Sequence, residues 1–155
     1  MAEPRFTIRA YGLLSSTGAD GAMRMLVADE LIKGKRVTKF PGGGLEYGEG
    51  LKECIVREIL EEVGVEALDV EHFYTTDFFQ QSAFHTVPLQ VVSVYYTFRV
   101  SDESAIRAVG EPFEGITGAD DQEVFRWAPL WQRAEDAVTL PIERVVWRML
   151  QDRQG

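Results

Sequence analysis

Glu58, Glu61 and Glu62 are spaced three and four residues apart, so in a helix their carboxylates fall on one narrow stripe. Like charges at that spacing cost an isolated helix ~0.2–0.5 kcal/mol per pair, and more where burial lowers the dielectric. A fold that keeps them argues for a cation among them. Carboxylate oxygens without sulfur or imidazole suit Mg²⁺ or Mn²⁺, and Mg²⁺ is usually held by one or two carboxylates together with substrate phosphates. Mg²⁺ is therefore the expected ion, with Mn²⁺ as a substitute. From Glu46 to Glu66 seven acids (Glu46, Glu49, Glu53, Glu58, Glu61, Glu62 and Glu66) face two bases, Lys52 and Arg57. A solvated helix face would explain such a run equally well. Upstream lies KFPGGGLEYGEG, with three glycines after Pro41. Glycine lets the backbone approach a ligand or metal closely, although a tight strand-to-helix connection would use it too.

These groups need a scaffold. Leu51, Ile55, Val56, Ile59, Leu60 and Val63 recur at helical intervals and Gly64 follows as a stop, so about 51–63 reads as one amphipathic helix. The acidic stripe borders its apolar face. Residues 6–14 and 22–30 read as strands separated by the turn at Gly18–Gly21, and RVTKF (36–40) runs into the glycines. Beyond the helix, 68–79, 88–100 and 123–130 alternate or run apolar as strands do, Pro88 being tolerable at a strand's first residue. A closing helix over about 142–151 turns Val145, Val146, Met149 and Leu150 inward.

Read as one unit, Gly43 to Val65 is GGLEYGEGLKECIVREILEEVGV, which is similar to the Nudix box G-x5-E-x7-R-E-U-x-E-E-x-G-U, U being a bulky aliphatic residue. Gly43, Glu49, Arg57, Glu58, Ile59, Glu61, Glu62, Gly64 and Val65 fill every specified position. The resemblance covers 23 of 155 residues, specific for the family and nearly silent on substrate. It implies an α/β fold of the Nudix type, an α/β/α sandwich with a mixed central β-sheet. It also implies hydrolysis of a pyrophosphate bond in a nucleoside diphosphate linked to another group. On this resemblance Glu58 and Glu62 are the main Mg²⁺ ligands, Glu61 is a further ligand or the general base, and the carbonyl of Gly42 or Gly43 is an additional ligand. Glu58, Glu61 and Arg57 form the catalytic group, Arg57 through an ion pair with Glu49 that ties loop to helix. Family members differ in whether the base is a box glutamate or an acid on a later loop.

The segment 101–122 is such a loop, long for a compact domain and carrying Glu111, Glu114, Asp120 and Asp121, with Glu123 just beyond. A solvated excursion is the plainer reading of any one of these acids. Lys33, Lys35, Arg36 and Lys39 form the basic cluster, which suits substrate phosphates or a solvated hairpin. Gly43, Gly44, Lys39 and Phe79 are the expected substrate contacts. Phe79 belongs to a group with Phe78, Gln80, Gln81, Phe84 and His85 that could stack and hydrogen-bond a base, or simply anchor a strand end.

Composition bounds the rest. With 155 residues, 45% apolar and 26% charged, the chain reads as a single domain, 1–155, with a real core. No apolar run is long enough for a membrane span, and MAEPRFTIRAYG lacks the apolar core of a signal peptide, so a cytoplasmic protein without membrane contact is expected. A net charge of −9 opposes binding to polymeric nucleic acid, while a metal ion can still reverse the field at one site for a small anion. The expected partner is a small-molecule nucleotide, and a homodimer stays open. Cys54 is the single cysteine and reads as a small buried hydrophobe. Two functions compete: a Mg²⁺-dependent pyrophosphohydrolase acting on (d)NTP-like compounds, nucleotide sugars or ADP-ribose, and a Nudix-fold module that binds a nucleotide and regulates without hydrolysis. Intact, mutually repelling carboxylates favour the enzyme.

Overall fold

Near-continuous apolar runs such as those within Met23–Ile32 and Leu89–Arg99 require both faces of a sheet to be covered, and the chain meets this with one long helix on each side. The computed structural model describes residues 5–118 and 122–154. In chain order the elements are β1 (Arg5–Leu13), β2 (Ser15–Thr17), β3 (Met23–Ile32), β4 (Lys35–Lys39), β5 (Gly42–Gly44), α1 (Leu51–Glu62), β6 (Leu68–Thr75) and β7 (Leu89–Arg99). A single 3-10 turn at Glu103–Ala105 follows, then β8 (Ala108–Val109), β9 (Glu123–Pro129), α2 (Ala134–Ala137) and α3 (Pro141–Gln154).

The central layer is two mixed sheets. One runs β5-β1-β7-β6, with β1 and β7 parallel and the other pairs antiparallel. The other runs β2-β3-β9-β8, with β4 also paired to β3 and only β8 and β9 parallel. The two-residue period then divides the core. Leu26 and Ala28 of β3 join Ala10, Val94, Tyr96 and Phe98 beneath Cys54, Ile55 and Ile59 of α1. Met25 and Val27 join Tyr11, Tyr95 and Phe40 beneath Ile142, Val146, Trp147 and Leu150 of α3. This is the expected α/β/α arrangement.

Differences from the sequence expectation lie where elements are short. The glycine run is itself a strand, because Gly42–Gly44 pair antiparallel with Arg9–Tyr11. The segment 101–122 contains the 3-10 turn and β8 rather than bare loop, and β6 ends at Thr75, short of residue 79. α1 ends as expected: Val63 caps it and Gly64 follows with φ 82°, the left-handed exit that glycine adopts without strain. α3 begins one residue early, at Pro141, whose missing N–H costs nothing in a first turn.

A buried node fixes the β3–β9 register. Asp29, fully buried, accepts hydrogen bonds from Arg126 Nε (2.6 Å) and Nη2 (3.1 Å), from Thr38 Oγ1 (2.7 Å) and from the Phe113 amide (2.9 Å). Three segments converge on this carboxylate of β3, and in the same register the neighbouring Glu30 stands opposite Glu123.

Candidate active site

A cavity of about 550 Å³ opens between the two sheets and the start of α3. Its volume is in the range of small-molecule sites. Glu58 and Glu62 line it from α1, Gly42, Gly43 and Gly44 from β5, and Glu30 and Lys39 from β3 and β4. Stripe and glycine strand thus meet at one place, and they meet closely. A methyl carbon built on Gly43 would lie 2.5 Å from Glu58 Oε1 and 2.7 Å from Oε2, so only glycine leaves room for that carboxylate.

Arg57 holds the ensemble together. Its Nε and Nη2 donate to the two oxygens of Glu49 (2.9 and 2.7 Å), a bidentate pair between loop and helix. Nη2 also reaches the Gly44 carbonyl (3.2 Å), while Nη1 donates to Glu58 Oε1 (3.0 Å) and Glu61 Oε2 (3.2 Å). The Arg57 bonds, followed by that of the Glu46 backbone, hold the Glu49 carboxyl down at about 2. Glu61 lies on the solvent side, directed at Arg57, and does not line the cavity.

Negative charge accumulates around one ammonium. Glu30, Glu62 and Glu123 lie around Lys39, which is buried and 3.4 Å from Glu30 Oε2. Burial works against the charge of Lys39, but Tyr11, Glu30, Glu123 and Glu62 outweigh it and its pKa is raised. Glu62 is open to solvent on its outer side. The protein around it pushes its carboxyl up to about 8, joined by the charges of Glu123, Glu58 and Glu30 and opposed by Lys39. Burial likewise raises Glu123, with Lys39 opposing and Glu30 adding. Glu30 Oε2 is buried without a hydrogen-bond partner.

This donor set fits a hard divalent cation. Beside Lys39 it offers carboxylate and carbonyl oxygens only, with an excess of negative charge. Among the described residues no three carboxylate, histidine or cysteine side chains close around one point.

The remaining expectations divide. Gln80, Gln81, Ser82, Phe84 and His85 form a wall of the cavity, but Phe79 is 68% exposed and lies off it. The basic cluster splits: Lys33 and Lys39 line the cavity, while Lys35 and Arg36 are exposed, Arg36 lying over the Phe113 ring. Glu111 and Glu114 close their own turn away from the cavity, Glu114 Oε1 accepting from the Glu111 amide (3.2 Å). Asp120 and Asp121 lie outside the described residues. Cys54 of α1 is fully buried, and burial followed by Glu49 pushes its thiol up to about 12, which disfavours the thiolate.

Sequence reasoning missed Arg9, Tyr11, Glu30 and Glu143, all of which line the cavity. A signal existed for three of them. Thr7, Arg9 and Tyr11 alternate along β1, so they share its cavity face. Glu143 lies on the inward stripe of α3 with Val146, Trp147 and Leu150, where an acid has no solvent to face.

A family model for the NUDIX domain matches residues 8–152. Over 53 residues the chain is 42% identical to an RNA pyrophosphohydrolase of Teredinibacter turnerae, a match spanning 34% of this chain and 30% of that protein. The fold is similar to the C. elegans Ap4A hydrolase in a binary complex, with a TM-score of 0.68 at 12% identity over 96% of this chain and 97% of that one. It is also similar to the MutT NUDIX hydrolase of Burkholderia pseudomallei, with a TM-score of 0.64 at 20% identity over 92% and 96% of the two chains.

Proposed function

The chain belongs to the Nudix hydrolase family, and from that premise we propose that it is a Mg²⁺-dependent pyrophosphohydrolase. Its substrate is a nucleoside diphosphate linked to another group, of the (d)NTP, nucleotide-sugar or ADP-ribose type, and its reaction is attack of water on phosphorus. The observation that carries this reading is the meeting of Glu58 and Glu62, one helical turn apart, with the glycine strand in a cavity otherwise lined for a small molecule.

Glu58 and Glu62 would hold the ion, with the Gly42 carbonyl within the same wall as a further ligand and Glu61 as a ligand or base after turning from Arg57. When bound, a divalent ion neutralises phosphate oxygens and acidifies a coordinated water. The chain supplies the rest. Arg57 fixes Glu58 by the 3.0 Å bond to Oε1 and is itself clamped by Glu49, so it is a positioning residue. The Gly43 and Gly44 backbone lines the cavity beside the carboxylates as the expected phosphate contact, and the 80–85 wall faces the part of the substrate beyond it. Lys39 offsets charge among Glu30, Glu123 and Glu62. No Ser, Cys or His stands in the box as a covalent nucleophile, and Cys54 is buried and neutral.

A panel of nucleoside triphosphates, nucleotide sugars, ADP-ribose and dinucleoside polyphosphates, incubated with Mg²⁺ in ¹⁸O-labelled water, tests this directly. Label should appear in a phosphate-bearing product within a single turnover. Tight nucleotide binding without hydrolysis across the panel would replace the enzyme with a nucleotide-binding regulatory module. Label absent from the first turnover would mean a covalent intermediate.

A further inference from the structure

Three cations line the cavity: Arg9, Lys33 and Lys39. Two are already engaged. Lys39 is paired with Glu30 at 3.4 Å, and Lys33 Nζ donates to the Phe84 carbonyl across the cavity mouth. Arg9 differs. Its one hydrogen bond among the described residues is from Nε to Tyr11 Oη (2.7 Å), and no carboxylate of those residues lies within 4.0 Å of it. Glu58 and Glu30 act on it only through the field. The strand pairing sets Arg9 opposite Gly44, and a methyl carbon on Gly44 would lie 3.8 Å from Arg9 Nη1. The guanidinium therefore stands beside the glycine strand with its two terminal nitrogens uncommitted, while Tyr11 fixes the plane of the fork.

A half-buried guanidinium with unused donors on a cavity wall is placed to receive an anion, and its fork matches two oxygens of one phosphate. We infer that Arg9, oriented by Tyr11, grips a phosphate of the substrate's diphosphate from the side of the glycine strand. The inference rests on the hydrolase reading for the chemical class of the ligand, and it deepens that reading by naming the group that holds the anion. Lys39, the expected phosphate contact, is an internal counter-ion.

Methylenediphosphonate, a pyrophosphate analogue that cannot be hydrolysed, is the probe, titrated calorimetrically with Mg²⁺ present. Arg9→Gln should raise its Kd ~10- to 100-fold, the scale expected on losing a charge-assisted bidentate contact. Arg9→Lys should fall between, because charge survives while the fork is lost. In turnover assays Arg9→Gln should raise KM more than it lowers kcat, as loss of binding shared by ground and transition states does. Circular dichroism melting checks that each variant is folded, and Arg9→Lys decides the matter if Arg9→Gln does not fold. Equal affinity in wild type and the folded variants, or no binding by wild type, overturns the assignment. Hydrolysis by wild type with unaltered affinity in Arg9→Gln removes this inference alone. Loss of binding in Arg9→Gln with no nucleotide hydrolysed by wild type leaves the anion site and removes the hydrolase.

Discussion

Replacing Gly43 by alanine perturbs one carboxylate and little else. The new methyl carbon would lie 2.5–2.7 Å from the three atoms of the Glu58 carboxyl group, where ordinary contact begins at 3.4 Å. The carboxyl group must therefore retreat by about 1 Å, and it must do so against Arg57, which holds Oε1 at 3.0 Å. A displacement of about 1 Å at a reacting centre can cost on the order of 100-fold in rate. The backbone does not object, because Gly43 is not among the residues with positive φ. A relaxed Gly→Ala change even gains ~0.4–1 kcal/mol by restricting the unfolded chain. Gly43→Ala should thus lose roughly 100-fold in kcat/KM, measured on the best substrate of the nucleotide panel, with a melting temperature close to wild type. The adjacent glycine should behave oppositely. A methyl carbon on Gly42 would lie 2.1 Å from the Ala10 carbonyl oxygen, and neither that oxygen nor the φ of 155° can adjust without breaking the β1–β5 pairing. Gly42→Ala should cost ~2 kcal/mol or more in stability. A folded Gly43→Ala enzyme within about twofold of wild-type activity would refute the reasoning on Glu58.

Two further outcomes probe the scaffold. Asp29→Ala strands the buried Arg126 guanidinium and should cost ~3–5 kcal/mol in denaturant unfolding, whereas a loss under ~1 kcal/mol would mean the node is not a buried ion pair in solution. Glu143 accepts from the Phe40 amide (2.8 Å) and from Tyr95 Oη (2.5 Å), yet complete burial raises its carboxyl from 4.5 to about 7 against both bonds. The folded state keeps a proton that the unfolded chain releases at lower pH, so this group's contribution to stability falls as pH rises from about 4.5 to 7. The loss is about 3 kcal/mol. Between pH 4.5 and 8, Glu143→Gln should gain about that much relative to wild type in chemical denaturation, and parallel pH profiles of the two proteins would contradict the raised pKa.

Local pattern explains which parts of this molecule were legible in its sequence. α1 and α3 were readable because twelve and fourteen residues carry several turns of helical periodicity, and β1, β3, β7 and β9 because alternation persists over seven or more residues. β5 was invisible as a strand, since three glycines display no side-chain alternation, and β2, β8 and α2 are too short to show any. In the site, spacing set Glu58, Glu61 and Glu62 on one stripe, and the resemblance to the Nudix box singled out Glu58 and Glu62. Glu30 was not evident, because what brings it in is the pairing of β3 with β9, and the alternation that marks Arg9 does not reveal that β5 pairs beside it, both being contacts between residues far apart in the chain. Phe79 fails for a related reason: with β6 ended at Thr75, the following residues turn, and Gln80 to His85 rather than Phe79 face the cavity.

On the proposed function the box carboxylates serve chemistry at the expense of stability. Glu62→Gln separates the two, because burial and the neighbouring acids raise this carboxyl to about 8 and a neutral amide escapes both. Turnover of the best nucleotide with Mg²⁺ should fall by at least about 100-fold, as a ligand and its charge are lost. Melting without metal at pH 8 should be unchanged or higher. Near-normal turnover in the folded Glu62→Gln protein would contradict the claim.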